Sequence, residues 1–111
     1  MKEEWPKNFM TELDKLAKTL DALGHPLRLK IVALLAGGER EMYLNEIANK
    51  LYVNRALAKV HLKKLERSGL VKSRIELVEG EAKALRYYKL QEFEVHLSPK
   101  ILRKEVEKNG C

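Results

Sequence analysis

A single cysteine occurs in the chain, and it is the last residue, Cys111. A disulfide scaffold needs two thiols and a cysteine-rich zinc site needs more, so neither forms within one chain. No apolar run approaches the roughly 20 residues that span a bilayer. The opening stretch MKEEWPKNFMTEL is acidic and polar where a signal peptide would be apolar. A cytoplasmic protein with no membrane partner is expected. Aspartate is confined to Asp14 and Asp21 and glutamine to Gln91, while Glu and Lys dominate. That bias suits a protein stabilised for high temperature. A Gly-rich phosphate loop, a nucleophile elbow and a convincing acid–base pair are all missing, so no catalytic residues and no enzyme are expected.

What the chain does have is one domain's length, 111 residues, without repeats, low-complexity tracts or linkers, so residues 1–111 read as one continuous domain. A monomer this small gains from an oligomer interface. Its charge is unevenly placed. Residues 54–74 hold seven basic groups, Arg55, Lys59, Lys63, Lys64, Arg67, Lys72 and Arg74, against the single acid Glu66. The other 15 basic and 15 acidic groups cancel, so this one segment carries the entire net charge of +6. A local cationic patch is the electrostatic footprint of a polyanion binder.

Periodicity predicts the elements. Thr11-Glu12-Leu13-Asp14 has the form of a capping box, and Phe9, Leu13, Leu16, Leu20 and Leu23 then recur at steps of four and three, an amphipathic helix stopped by Gly24. Pro26 starts a second helix with Leu27, Ile31, Leu34 and Leu35 inward, ended by Gly37-Gly38. A short extended piece at Glu41–Tyr43 leads to a third helix near Asn45–Leu51. After the tight turn Tyr52-Val53, Asn54 caps a fourth helix that Gly69 closes. Leu70–Val78 and Ala84–Leu90 flank Glu79-Gly80-Glu81 as a β-hairpin. Phe93, Val95 and Leu97 alternate as a further strand or extended segment, and Ser98-Pro99 opens a last helix. The fold class is therefore mainly α with a small β-hairpin (α+β), a winged helix-turn-helix: helix-turn-helix at 45–68 and wing at 70–90.

In the fourth helix Ala58, Leu62 and Leu65 share the inward face, with Leu57 or His61 at its edges. Arg55, Ala56, Lys59, Val60 and Lys63 project from the other side. With the helix tip in a major groove, Arg55 and Lys59 reach guanine edges, and Ala56 and Val60 touch thymine methyls. Lys63, Lys64 and Arg67 lie farther along, where phosphates are the expected partners. Asn54 completes the tip, and Arg74, Lys83 and Arg86 can meet phosphates from the wing strands. A solvated, thermostable Lys/Arg face is the bland alternative, but such a face normally interleaves acids, as the rest of this chain does.

These residues also resemble a family. Leu23-Gly24-His25-Pro26-Leu27-Arg28-Leu29-Lys30-Ile31 is similar to the second-helix signature of ArsR-type winged-helix repressors. Asn45-Glu46-Ile47-Ala48, His61-Leu62-Lys63, Leu65-x-x-Ser68-Gly69-Leu70-Val71 and Tyr87-Tyr88-Lys89-Leu90 follow in matching order, so the resemblance covers about residues 13 to 90. It implies a homodimeric, sequence-specific regulator of double-stranded DNA, usually a repressor released by an effector. Dimers of the family pair through the first and last helices. That places the interface on 9–24 and 98–108, through Phe9, Leu13, Leu16, Leu20, Ile101, Leu102 and Val106.

The chain departs from the family pattern in three places. Met42-Tyr43-Leu44-Asn45 stands where metal sensors carry a cysteine pair, and residues 98–108 contain neither His nor Asp. No metal, no cofactor and a non-metal-sensing member of archaeal, thermophile-like character are therefore expected, with the effector unknown. The wing tip is acidic, where minor-groove insertion would favour Arg or Lys. The fourth helix opens Asn54-Arg55-Ala56-Leu57, without the Ser/Thr often used for DNA contacts, so no operator preference carries over. Glu92, Glu94 and His96 alternate on one side as a three-ligand pattern that a solvated face explains equally well. His25 and His61 read as a loop residue and a semi-buried helix residue, Cys111 as a terminal thiol, and Trp5 as cover for an apolar edge or a dimer seam. Two rival functions share the fold: a winged-helix protein-interaction module and a sequence-tolerant, chromatin-like DNA binder.

Overall fold

The computed structural model describes residues 12–38, 41–81 and 83–108; Trp5, Phe9 and Cys111 lie outside them. The first helix, α1 (Glu12–Leu23), opens with Glu12 and Asp14 against its positive end. Its leucines Leu13, Leu16, Leu20 and Leu23 are half-buried and only Ala22 is fully covered. The second, α2 (Pro26–Ala36), starts where His25 Nδ1 accepts from the Leu27 N–H at 3.0 Å, with Pro26 in the first turn. It drives Ile31 and Leu35 into the core.

The strand β1 (Glu41–Tyr43) runs straight into α3 (Leu44–Lys50), whose start is fixed by Glu46 Oε1 accepting from the Tyr43 N–H at 3.3 Å. After a four-residue connection comes α4 (Arg55–Arg67), with Asn54 Oδ1 accepting from the Leu57 N–H at 2.7 Å. This is the N-cap expected of an Asn at that point. Strands β2 (Val71–Leu77) and β3 (Ala84–Leu90) form the wing hairpin. The strand order is β1-β3-β2, all antiparallel, with Met42 opposite Tyr88 and Ser73 opposite Tyr88 on the other side. The expected hairpin thus supplies two strands of a three-stranded sheet, because β1 pairs with the edge of β3 that the hairpin leaves open.

Residues 91–98 contain no strand. Of the two forms expected of Phe93, Val95 and Leu97, a strand or an extended segment, the one outside any sheet is present, and Phe93 packs against the core. The last helix, α5 (Pro99–Lys108), is capped by Ser98 Oγ accepting from the Ile101 N–H at 3.1 Å, and it buries none of its residues.

The core gathers Ile31 and Leu35 of α2, Leu44, Ile47 and Ala48 of α3, Ala58, Leu62 and Leu65 of α4, and Val71, Tyr88 and Leu90 of the sheet. Truncating a fully buried leucine such as Leu62 costs about 2–5 kcal/mol.

Both helices of the helix-turn-helix end alike. At the end of α4, Gly69 N donates to Glu66 O at 3.0 Å and Leu70 N to Leu65 O at 3.0 Å, with Gly69 at φ +82°. At the end of α3, Tyr52 N donates to Asn49 O at 3.3 Å and Val53 N to Ala48 O at 3.1 Å, with Tyr52 at φ 56°. These are paired Schellman caps, whose left-handed position suits glycine. A side chain there costs on the order of 1 kcal/mol.

Candidate nucleic-acid interface

The buried face of α4 is Ala58, His61, Leu62 and Leu65. Packing these against α2, α3 and the sheet fixes the rotation of the helix, and Arg55, Ala56, Lys59, Val60, Lys63 and Arg67 are left exposed along the opposite side. At steps of four and three they make one continuous stripe, cationic with a small or aliphatic residue between the charges.

The basic residues of the patch differ in their partners, and Lys72, exposed on β2 away from the α4 stripe, forms no ion pair with a described residue. Arg55, Lys59, Lys63 and Arg67 form no ion pair with any described residue. Lys64, one position off the stripe, pairs with Asp21 of α1. Arg74 is bound to Glu41 of β1 at 2.8 Å and to Glu76 at 3.0 Å, with its guanidinium 4.5 Å from the centre of the Tyr87 ring. Those two hydrogen bonds hold the Arg74 pKa above its already high ordinary value, and the bond from Arg74 depresses the Glu41 carboxyl. Lys64 does the same to Asp21.

Arg86 donates to Ser73 Oγ at 3.1 Å, and that hydroxyl donates to Glu66 on α4. The chain Arg86–Ser73–Glu66 ties both wing strands to the fourth helix. Lys83 sits 3.8 Å from Glu81 beside the wing turn, where Val78 N donates to Lys83 O at 3.1 Å. The expected DNA-contacting residues therefore share one side only in part: the α4 stripe has no ion pair among the described residues, whereas Lys64, Arg74 and Arg86 are held within the molecule.

The α4 terminus adds a further bias. Its first turn holds no acid, and Arg55 stands at its first helical position. A cation at the positive end of a helix is locally unfavourable, and an anion placed there relieves it.

The segment 25–73, from His25 through the whole helix-turn-helix into β2, matches the family described as bacterial regulatory protein, arsR family. Over 96 residues the chain is 34% identical to an uncharacterised HTH-type transcriptional regulator of Methanocaldococcus jannaschii, covering 86% of this chain and 97% of that one. The chain belongs to the arsR family of helix-turn-helix transcriptional regulators. Among solved structures, the homodimeric winged helix-turn-helix DNA-binding domain of a Mycobacterium bovis protein is similar at 26% identity and a TM-score of 0.62, covering 97% of this chain and 86% of that one. The transcriptional repressor BigR of Xylella fastidiosa, 22% identical with a TM-score of 0.59 over 88% of this chain and 82% of its own, shares the fold. The winged helix-turn-helix read from the order of elements is thus the fold of this arsR family member, and its relatives are regulators and not enzymes.

The arsR-matching segment starts on a cluster that periodicity alone does not reveal. His61 of α4 is 8% exposed, and its Nδ1 lies 2.9 Å from Arg28 Nη1. A guanidinium only donates, so His61 accepts with Nδ1 and carries its proton on Nε2. Arg28 Nε also donates to Ala22 O at 2.6 Å, and Nη2 reaches Asp21 O at 3.5 Å. One arginine of α2 thereby joins the end of α1 to the middle of α4. The His25 ring lies 4.4 Å from that of His61, centre to centre. Both Nδ1 atoms face donors, from Arg28 and from the Leu27 N–H. A metal on either Nε2 would need the proton moved onto Nδ1, against those donors. Among the described residues no three His, Cys, Asp or Glu could hold a metal ion, and the Glu94–His96 contact at 3.3 Å is an exposed pair.

Burial first, then the neighbouring His25 and Arg28, lower the His61 pKa from its ordinary value. The unfolded ring takes up its proton near pH 6.5 and the folded one only at lower pH. Stability is therefore complete above about pH 6.5 and declines as the pH falls through that value toward the folded pKa, because the unfolded chain binds more protons in that interval. The carboxylates Asp21 and Glu41 lose their pairs in a separate window, below the ordinary carboxylate range. Thermal melts from pH 7.5 to 5 are expected to show a falling midpoint. In His61→Gln, whose amide oxygen still accepts from Arg28 but does not titrate, that fall is expected to be shallower.

Proposed function

We propose that the protein is a homodimeric transcription regulator that binds double-stranded DNA, acting as a repressor in the manner its resemblance implies. The observation that carries the proposal is the stripe Arg55, Lys59, Lys63 and Arg67, unpaired among the described residues, on a helix whose first turn holds no acid. A solvated helix in this chain recruits glutamates, as Arg103–Glu107 at 2.9 Å shows on α5; α4 leaves its cations open.

In this reading the tip of α4 enters the major groove. Asn54 and Arg55 lead, Arg55 and Lys59 address guanine edges, and Ala56 and the exposed Val60 meet thymine methyls. Lys63 and Arg67 neutralise phosphates. Lys64, Arg74, Lys83 and Arg86 flank the groove, and their ion pairs or hydrogen bonds inside the chain must yield or be shared before they reach DNA, so their contributions are the smaller ones. The wing hairpin runs beside α4, but its tip carries Glu79 and Glu81, which favour a position clear of the minor groove.

The second copy is held by α1 and α5. Leu13, Leu16, Leu20, Ile101 and Val106 are only half-buried and Leu102 is exposed, an amphipathic pair of helices with an open apolar seam; Phe9, expected to extend it, lies outside the described residues. The M. bovis relative is a homodimer of the same fold. Two recognition helices related by a dyad fit a pseudo-palindromic site with half-sites about 34 Å apart.

A protein-interaction role draws its support from the wing, where Leu77 is 80% exposed beside the acidic turn. Selection from a random duplex pool separates the readings. The regulator enriches a palindrome, and Arg55→Ala with Lys59→Ala then weakens binding by at least about 30-fold, one to three kcal/mol being the usual worth of each base contact. Enrichment of nothing with retained binding marks a sequence-tolerant binder, and absence of binding marks the interaction module. Sedimentation equilibrium is expected to show a dimer that Leu16→Glu combined with Val106→Glu dissociates; a wild-type monomer would contradict the interface.

A further inference from the structure

We infer that Tyr52 is a positioning contact to DNA, its hydroxyl bonding a backbone phosphate at the rim of the groove that α4 enters; this rests on reading α4 as the recognition helix. The chain contains its own control. Two helices of the helix-turn-helix end in the same pair of backbone hydrogen bonds, and each places its next residue in the left-handed region. At the end of α4 that residue is Gly69, the residue the geometry favours. At the end of α3 it is Tyr52.

Among the described residues nothing uses the Tyr52 side chain. It is 95% exposed, the most open of the large apolar or aromatic residues among those described, and it makes no side-chain hydrogen bond or ring contact. The hydrophobic contact that accompanies such a cap comes from Val53 and Ala48, which flank it in the motif. An aromatic ring held in a disfavoured backbone conformation and buried against nothing points to a use outside the chain.

Its place in the chain selects the partner. Tyr52 lies two residues before the cap Asn54, outside the tip of α4, while Arg55 and Lys59 lie inside it. With that tip in a major groove, a side chain leaving the preceding turn faces the groove edge, where phosphate oxygens are the available acceptors. A phenol is a neutral donor of suitable reach. Unlike Lys63 or Arg67, it displaces no counterion, so its contribution is independent of salt.

The test uses the full-length protein, a duplex enriched from a random pool, and the variants Tyr52→Phe and Tyr52→Gly. Affinity is measured across a salt series alongside thermal melting. Tyr52→Gly is expected to melt higher than wild type yet bind about 3- to 10-fold more weakly, the range of one neutral hydrogen bond. Tyr52→Phe is expected to melt like wild type and show most of the same loss, and both keep the wild-type slope of affinity against salt. Wild-type affinity in Tyr52→Gly overturns the contact, and wild-type affinity in Tyr52→Phe overturns the role of the hydroxyl. Failure of the wild type itself to bind any duplex overturns the reading of α4, and this inference with it.

Discussion

The rotation of α4 about its own axis governs the rest of the molecule. The helix is at once a wall of the core and the cationic surface, so its inward residues decide which side chains remain outside. Ala58, Leu62 and Leu65 set that rotation by burial. Three polar ties then lock it from different directions: Arg28 to His61 from α2, Asp21 to Lys64 from α1, and Ser73 to Glu66 from the wing. A turn of the helix by one residue, about 100°, would expose a leucine and draw a lysine inward, at a cost well beyond any single surface pair.

The same packing sorts the cations. Residues that lean toward α1 or the sheet meet acids there, as Lys64 meets Asp21 and Arg74 meets Glu41. Residues on the far side meet no acid among the described residues. A pair already formed within the chain competes with a phosphate, whereas an unpaired cation in a like-charged row is relieved by one. Bare charge counting over 54–74 treats all seven basic groups alike; the structure separates the four on the open side of α4 from Lys64 and Arg74, which have internal partners, and from Lys72 on β2.

Much of this was legible in sequence because it rests on local rules. The caps Asn54 and Gly69, the inward step of Ala58, Leu62 and Leu65, and the hairpin around Gly80 are each fixed by neighbours in the chain. The helix boundaries followed within a residue for α3 and α4. What escaped depends on partners distant in sequence. The pairing of β1 with β3 joins residues over forty positions apart, and the Arg28–His61 bond spans 33. Residues 93–97 alternate as a strand would but join no sheet, so period alone left strand and extended segment undecided. Tyr52 was visible as a turn residue; its left-handed backbone and open ring required coordinates.

In the proposed complex the unpaired cations of α4, and not the paired ones around it, meet the phosphates. Measuring the slope of log affinity against log salt concentration for a selected duplex tests it directly, because each neutralised phosphate contributes about −0.9. The slope is predicted to become shallower by about two such increments in Lys63→Ala with Arg67→Ala and to stay near wild type in Arg74→Ala. A salt-independent wild type, or a slope lost through Arg74 while the α4 double variant keeps it, would rule out phosphate contact by the α4 stripe.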